Sequence, residues 1–270
     1  MNDYLEQKVI WVWLETLRIH QQAPETRIAS SLSPIEIFVS LFYGGCLKYF
    51  ADDPFNGNRD RLIVSKGHGS ICLYPILADL GFFDKSELQR VCKKGGILGG
   101  IPDPIIPGYE TVNGSLGHGL GVAAGISLAL RCKNKSNSVF VLCGDGELQE
   151  GSCWEAIMFA GHHGLDNLNL IIDNNEISML GFTQNILAMN SLPERLISFG
   201  WEIQEVNGHD IYEVQNSINT QKNTKNHKPK AILAKTIKGR GVPSIENKEL
   251  SHVINPLKKE LEDILENYDD

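Results

Sequence analysis

The chain has 270 residues, with 25 Lys and Arg against 33 Asp and Glu, for a formal net charge of −8. Its 42 % hydrophobic and 21 % charged content supplies a core and excludes a disordered chain. The acidity argues against nucleic acid as a partner, since no basic face is evident. The apolar runs, such as LNLII at 168–172, are too short to span a membrane. The N-terminus MNDYLEQKVIWVW lacks the basic-then-apolar order of a signal peptide. None of the six cysteines (Cys46, Cys72, Cys92, Cys132, Cys143, Cys153) forms a CxxC pair. That pattern predicts a reduced, cytoplasmic protein with buried thiols and no zinc site.

Along the chain, Ile10, Trp13, Leu14 and Leu17 recur at helical spacing in the first 20 residues. A second helix is expected at SPIE, with Ser33 as cap, Pro34 in the first turn and Glu36 closing a capping box. RLIVS (61–65) reads as a short strand running into the Gly-rich KGHGS, and 95–121 as loop. GVAAGISLALR (121–131) is a helix with small residues for close packing. SVFVLC (138–143) and NLNLIID (167–173) are buried strands on either side of a helix around 154–160. Together they make a right-handed βαβ unit with parallel strands. A helix over 192–199, the segment WEIQEV (201–206) and a strand AILAKTI (231–237) follow. NTQKNTKNHKPK (219–230) reads as a mobile surface connection and the charged tail from 258 as a solvated helix end. The fold class expected is α/β: one open, mainly parallel sheet covered by helices on both faces, with no domain break.

In such sheets ligands collect beyond the carboxyl ends of the strands. SKGHGS, NGSLGHGLG, GDGELQEG and DNNEISMLG all fall there. Asp145 and Asn175 each end one strand of the βαβ unit, 30 residues apart, and can point at one spot. A carboxylate, an amide oxygen and a main-chain carbonyl, most simply that of Ile177, suit magnesium that takes its remaining oxygens from a diphosphate and water. The glycines of GDG let backbone N–H groups approach phosphate, the helix after NGSLGHGLG can offer its N-terminus, and His68 can donate a hydrogen bond. Taken singly, a Gly-Asp-Gly is also an ordinary tight turn and paired asparagines are ordinary turn formers.

GDG followed about 30 residues later by NN, each after a strand, resembles the thiamine diphosphate motif. GDGELQEGSCWEAIMFA, SLGHGLGVAAGISLAL, RLIVSKGHGSICLYPILADLGFF, EVNGHD and AKTIKGRGV all resemble the transketolase family, over nearly the whole chain. The resemblance covers only that family's N-terminal, diphosphate-binding domain. It implies a single such domain over 1–270, forming the N-terminal subunit of a split transketolase. The pyrimidine-binding and C-terminal domains are then expected on a partner chain. The cofactors implied are thiamine diphosphate and Mg2+. The implied metal ligands are Asp145, Asn175 and the Ile177 carbonyl. Implied cofactor contacts are His68, Gly114, Leu116, Gly146, Asn175 and His252, with Glu147 beside them. His68 and His252 also stand near substrate, and Glu150 resembles an acid buried between subunits that links two active sites. The glutamate that protonates the cofactor's pyrimidine belongs to the domain lacking here, so turnover is expected only with the partner, in an α2β2 heterotetramer.

Two positions depart from the family. Arg27 and Ile101 stand where transketolases have histidines that touch the hydroxyls of a ketose donor. Arginine is a permanent cation that binds carboxylate or phosphate in a fork, and isoleucine cannot hydrogen-bond. A changed sugar or sugar phosphate is therefore expected, with a missing hydroxyl or an added acid. His118 replaces a family glutamine beside the cofactor loop and could serve as a polar contact. His162, His163, His209 and His227 read as surface or packing residues, His209 as part of a turn. Trp11, Trp13 and Trp154 read as core or interface. Two other readings stay open: acyl transfer from a 2-oxo acid such as pyruvate, and a non-catalytic partner subunit.

Overall fold

The computed structural model describes residues 4–112 and 114–269. Five strands form one all-parallel sheet in the order β1-β2-β3-β5-β4: β1 (Arg61–Val64), β2 (Val139–Gly144), β3 (Leu168–Asn174), β4 (Glu202–Asn207) and β5 (Lys230–Lys235). The central strands are mostly apolar and buried because helices cover both faces. Alternate residues go to opposite sides: Phe140 and Leu142 join one core, whereas Val139, Val141 and Cys143 join the other. The first core is completed by α1 (Tyr4–Gln22), α2 (Ile28–Leu32), α3 (Ile35–Phe42), α4 (Leu73–Asp79), α9 (Ile211–Asn223) and α10 (Lys258–Asp269). The second is completed by α5 (Gly119–Cys132), α6 (Gly151–His162) and α8 (Leu192–Ser198). A short α7 (Thr183–Leu187) lies after β3.

The strands and most long helices fall where the pattern places them, to within two or three residues at their ends; the 13-residue α9 is a helix the pattern does not anticipate. Four local expectations are corrected. Ser33 does not cap α3; its hydroxyl donates to Asp173 Oδ2 at 2.6 Å, because a buried carboxylate outcompetes a neutral helix end. Glu36 does not close a capping box; it binds Arg240. The polar stretch from 219 is not one loose connection, since α9 runs to Asn223 and Lys230 is fully buried, its ammonium bonded to Glu202 and Asn226. The charged tail is not solvated all round: Leu261 and Leu265 of α10 are buried in the first core.

All six cysteines are unpaired; Cys46, Cys72, Cys143 and Cys153 are buried. Among the described residues no helix is long and apolar enough to cross a membrane. Trp13 donates from Nε1 to the Arg240 carbonyl at 3.0 Å, and Trp154 to the Leu148 carbonyl at 2.8 Å, so both act in packing.

Candidate active site

The carboxyl ends of β2 and β3 are held level by register, with Gly144 opposite Asp173, and by the Asp145 N–H donating to the Asp173 carbonyl at 3.2 Å. This brings Asp145 and Asn175 to one cleft of about 390 Å³, together with Gly146, Glu147, Glu150, Ile177, Gly114, Leu116, His68 and His252. Gly146 lies close under the next loop, where a Cβ would stand 3.1 Å from that of Ser178. A larger cleft, of about 480 Å³, opens on the other side of Asp145. Its charged groups are Glu176, Glu194, Glu205 and Lys235, mostly acidic, and it suits a polyanion poorly.

Burial pushes the Asp145 carboxyl up to about 6, helped by the neighbouring charge of Asp173. No lysine or arginine forms an ion pair with it among the described residues; its Oδ2 takes a 3.4 Å bond from Thr183. A buried acid of this kind fits a bound cation. Asn175 is 4 % exposed, and its Oδ1 accepts the Ile177 N–H at 3.2 Å, which curls the loop back toward Asp145. The Ile177 carbonyl accepts from Lys238 Nζ at 3.0 Å and has a second lone pair for a metal. One carboxylate, one amide and one carbonyl are hard oxygen donors, the set that magnesium takes when an anionic ligand completes it.

Sequence reasoning missed the cations of the site. Lys66 is ion-paired with the fully buried Asp173, which also accepts from Ser33 and Thr236. Burial works to raise the Asp173 carboxyl, but Lys66 and these hydroxyls hold it below the usual carboxylate range. Among the described residues, Lys238 has no such partner. It is 3 % exposed and donates only to the carbonyls of Ile177 and Ser178, and burial, reinforced by Lys66, lowers its ammonium to about 7. The half-buried Lys66 and the buried Lys238 bring positive charge to the cleft of an otherwise acidic chain. AKTIKGRGV carries Lys238, so the signal was present in the motif but not in the composition.

His68 and His252 meet edge to face, with ring centroids 4.8 Å apart, and His252 Nδ1 lies 2.9 Å from Ser30 Oγ. Burial, then the charges of Arg27, Lys238 and Lys66, lowers His68. Burial and then Lys238 lower His252 to about 3. Both rings are therefore neutral at neutral pH, able to donate from one nitrogen and accept at the other.

The Gly-rich loop before α5 does not present all its amides to the cleft. Gly117 N–H donates to Glu147 at 3.0 Å and Gly119 N–H to Ser65 Oγ at 3.1 Å. Glu147 also takes Ser65 Oγ and the Gly144 N–H, so its carboxylate ties three loops together. Glu150 stands at the start of α6 and is exposed in the single chain. His118 lies against its own loop, with Nδ1 3.1 Å from the Leu116 carbonyl. Arg27 precedes α2, half-buried, and its charge reaches His68 and His252. Ile101 is 39 % exposed and packs against Gly114, its methyl groups 3.3–3.4 Å from where a Cβ would stand.

A parallel sheet with an Asp and an Asn at adjacent strand ends, beside two lysines, is the arrangement expected of a thiamine diphosphate-binding fold. Residues 21–267 match the family profile "Transketolase, thiamine diphosphate binding domain", and the chain belongs to that family. The family's cofactor is thiamine diphosphate, bound with Mg2+. The chain is 34 % identical over 230 residues to an apulose-4-phosphate transketolase subunit of Phocaeicola vulgatus, covering 85 % of this chain and 81 % of that one. To a 6-deoxy-6-sulfo-D-fructose transketolase subunit of Clostridium sp. (strain MSTE9) it is 36 % identical over 226 residues, covering 83 % and 82 %. The crystal structure of Campylobacter jejuni transketolase superposes with a TM-score of 0.90 at 30 % identity, covering 99 % of this chain and 43 % of that one. The chain thus spans most of the two relatives that are named as subunits, but less than half of the full-length transketolase.

Proposed function

We propose that this chain is the diphosphate-binding subunit of a split transketolase, a single domain over 1–270. On this reading it transfers a two-carbon ketol unit between modified sugars or sugar phosphates. The observation that carries the reading is the buried Asp145, without an ion pair among the described residues, set against Asn175 and the Ile177 carbonyl in a cleft flanked by Lys66 and Lys238. Asp145, Asn175 and the Ile177 carbonyl hold Mg2+. Lys238, His68 and the Gly146 N–H take the diphosphate. Gly114 and Leu116 meet the aminopyrimidine, and Glu147 holds the loops that position them. The bound cofactor supplies the nucleophilic carbon that accepts the ketol unit. His68 and His252, both neutral and the latter braced by Ser30, orient substrate and can carry a proton at a ring nitrogen.

The pyrimidine-binding domain, with its activating glutamate, then lies on a partner chain, in an α2β2 heterotetramer where Glu150 becomes buried between subunits. Support comes from the naming of two relatives as subunits and from exposed apolar side chains on the cleft rim: Leu116, Met179, Leu180 and Ile186. A reduced compartment such as the cytoplasm suits six unpaired thiols. Calorimetry on the reconstituted pair tests the cofactor reading: Mg2+-dependent binding of thiamine diphosphate is expected, and its loss in Asp145→Ala. Equal heats from the two proteins would favour a non-catalytic role for this chain, and steady turnover by this chain alone would remove the need for a partner.

Arg27 and Ile101 point to a substrate with an anionic group and with one donor hydroxyl fewer to satisfy. The two relatives are named for a sugar phosphate and a sulfonated sugar, both anionic. Arg27→His with Ile101→His is expected to shift the preference of the pair toward ordinary ketose phosphates. An unchanged substrate range would sink the assignment, and carbon dioxide release from pyruvate would favour the 2-oxo acid reading.

A further inference from the structure

Lys238 is held by a segment that belongs to neither strand nor helix, between β5 and Val242. Behind the cleft, three side chains grip that segment on both sides of the lysine. His209 Nε2 accepts the Ile237 N–H at 2.8 Å. A nitrogen that accepts carries no proton, so the ring proton sits on Nδ1. Nδ1 lies 3.2 Å from Glu36 Oε1, an ion–dipole contact rather than a linear hydrogen bond. The same Oε1 accepts from the guanidinium of Arg240. The residue before Lys238 is thus tied to Glu36 through His209, and Arg240, two residues after it, is tied to Glu36 directly. The Gly239 N–H donates to the Ala29 carbonyl at 3.0 Å and completes the hold.

Glu36 is a costly residue for helix packing alone. It is 3 % exposed, and its Oε2 has no hydrogen-bond partner among the described residues. A buried carboxylate left half satisfied calls for an explanation beyond stability, because an apolar side chain would pack α3 at least as well. Its two partners converge on the one segment that carries the unpaired lysine of the cleft.

We propose that Glu36, His209 and Arg240 form a positioning clamp that fixes Lys238 Nζ over the Ile177 and Ser178 carbonyls, and so sets how tightly the cleft takes a diphosphate. The last clause rests on the cofactor reading; the clamp itself does not, and it can be tested on the full chain without cofactor.

Nitrogen-15 spectra of the full chain are expected to show His209 as the neutral Nδ1–H tautomer, with the Ile237 amide exchanging slowly. His209→Leu removes the acceptor, whereas His209→Gln keeps an acceptor oxygen. In the leucine variant the Ile237 amide should exchange at least about 5-fold faster, the equivalent of one hydrogen bond. Trypsin should then cut more readily after Lys238 and Arg240. In the reconstituted pair, the Kd for Mg2+-thiamine diphosphate should rise about 5–10-fold and return to within about 2-fold of the parent in the glutamine variant. An Nε2–H tautomer, or an unchanged Ile237 exchange rate in His209→Leu, would overturn the clamp. A freed amide with an unchanged Kd would overturn its link to the diphosphate. Should the leucine variant not fold, the tautomer and Glu36→Gln decide: an Ile237 amide and tryptic sites as protected as in the parent overturn the clamp, and loosened ones support it. A parent pair that binds no cofactor refutes the cofactor reading and leaves the tautomer and exchange results to judge the clamp.

Discussion

Replacing Asp173 by alanine removes the carboxylate ion-paired with Lys66. Asp173 is fully buried, and it accepts from Lys66, Ser33 and Thr236, which come from the β1 end, the start of α3 and the β5 end. Removing one partner of a buried pair strands the other charge, at a cost of about 3–5 kcal/mol. For a domain of this size each kcal/mol moves the melting temperature by about 2–4 °C, so a fall of roughly 6–20 °C is expected. Calorimetric or circular-dichroism melting at pH 7 in low salt measures it. The double variant Asp173→Leu with Lys66→Met removes both charges and should recover more than half of the loss, because apolar pairs of similar volume replace buried ion pairs at little cost. A single variant that loses under about 1 kcal/mol, or a double variant as unstable as the single, would refute the view that Lys66 depends on Asp173.

Two further outcomes concern the body of the fold. His20 is 1 % exposed, and burial, only partly opposed by Glu25, lowers its ring from 6.5 to about 4. Its unfolded form binds the proton first, so its share of stability is intact above pH 6.5 and lost as pH falls toward 4, by about 2 kcal/mol at pH 5. Urea melts at pH 7 and pH 5 should show a drop that much smaller in His20→Asn, and equal drops would contradict it. Gly161→Ala, inside α6, should destabilise the chain by about 1–3 kcal/mol although alanine is the better helix former, because its Cβ would stand 1.8 Å from the Phe199 carbonyl oxygen. A stabilised Gly161→Ala variant would disprove the close approach.

Much of the sheet could be read from the sequence because its strands are buried on both faces, which leaves an unbroken apolar run at 139–143 and a mostly apolar one, around Asn169, at 168–172. Asp145 and Asn175 could be placed because each stands within three residues of the end of such a run. The cationic half of the site could not. Lys66 and Lys238 follow strands in polar, Gly-rich surroundings where a lysine ordinarily faces water. Lys238 is buried and Lys66 half-buried because Ser33, Asp173 and Ile177 reach them from distant parts of the chain. Ser33 and Glu36 fit a capping box in spacing, but each met a charged partner from far along the sequence. Lys230 misled for the same reason: its neighbours HKP suggest solvent, and only the partner strand supplies Glu202.

The placement of Arg27 and Ile101 has a consequence for how such a protein can change. The residues nominated for metal and diphosphate hang on strand ends whose register fixes them to one another. Arg27 sits ahead of a five-residue helix, and Ile101 lies in an irregular segment with its side chain against Gly114. Substitution at either position leaves every ladder hydrogen bond in place. Libraries confined to these two loops should therefore yield altered reactants at a high rate of folded variants, whereas equally small libraries at 145 or 175 should yield mostly inert protein.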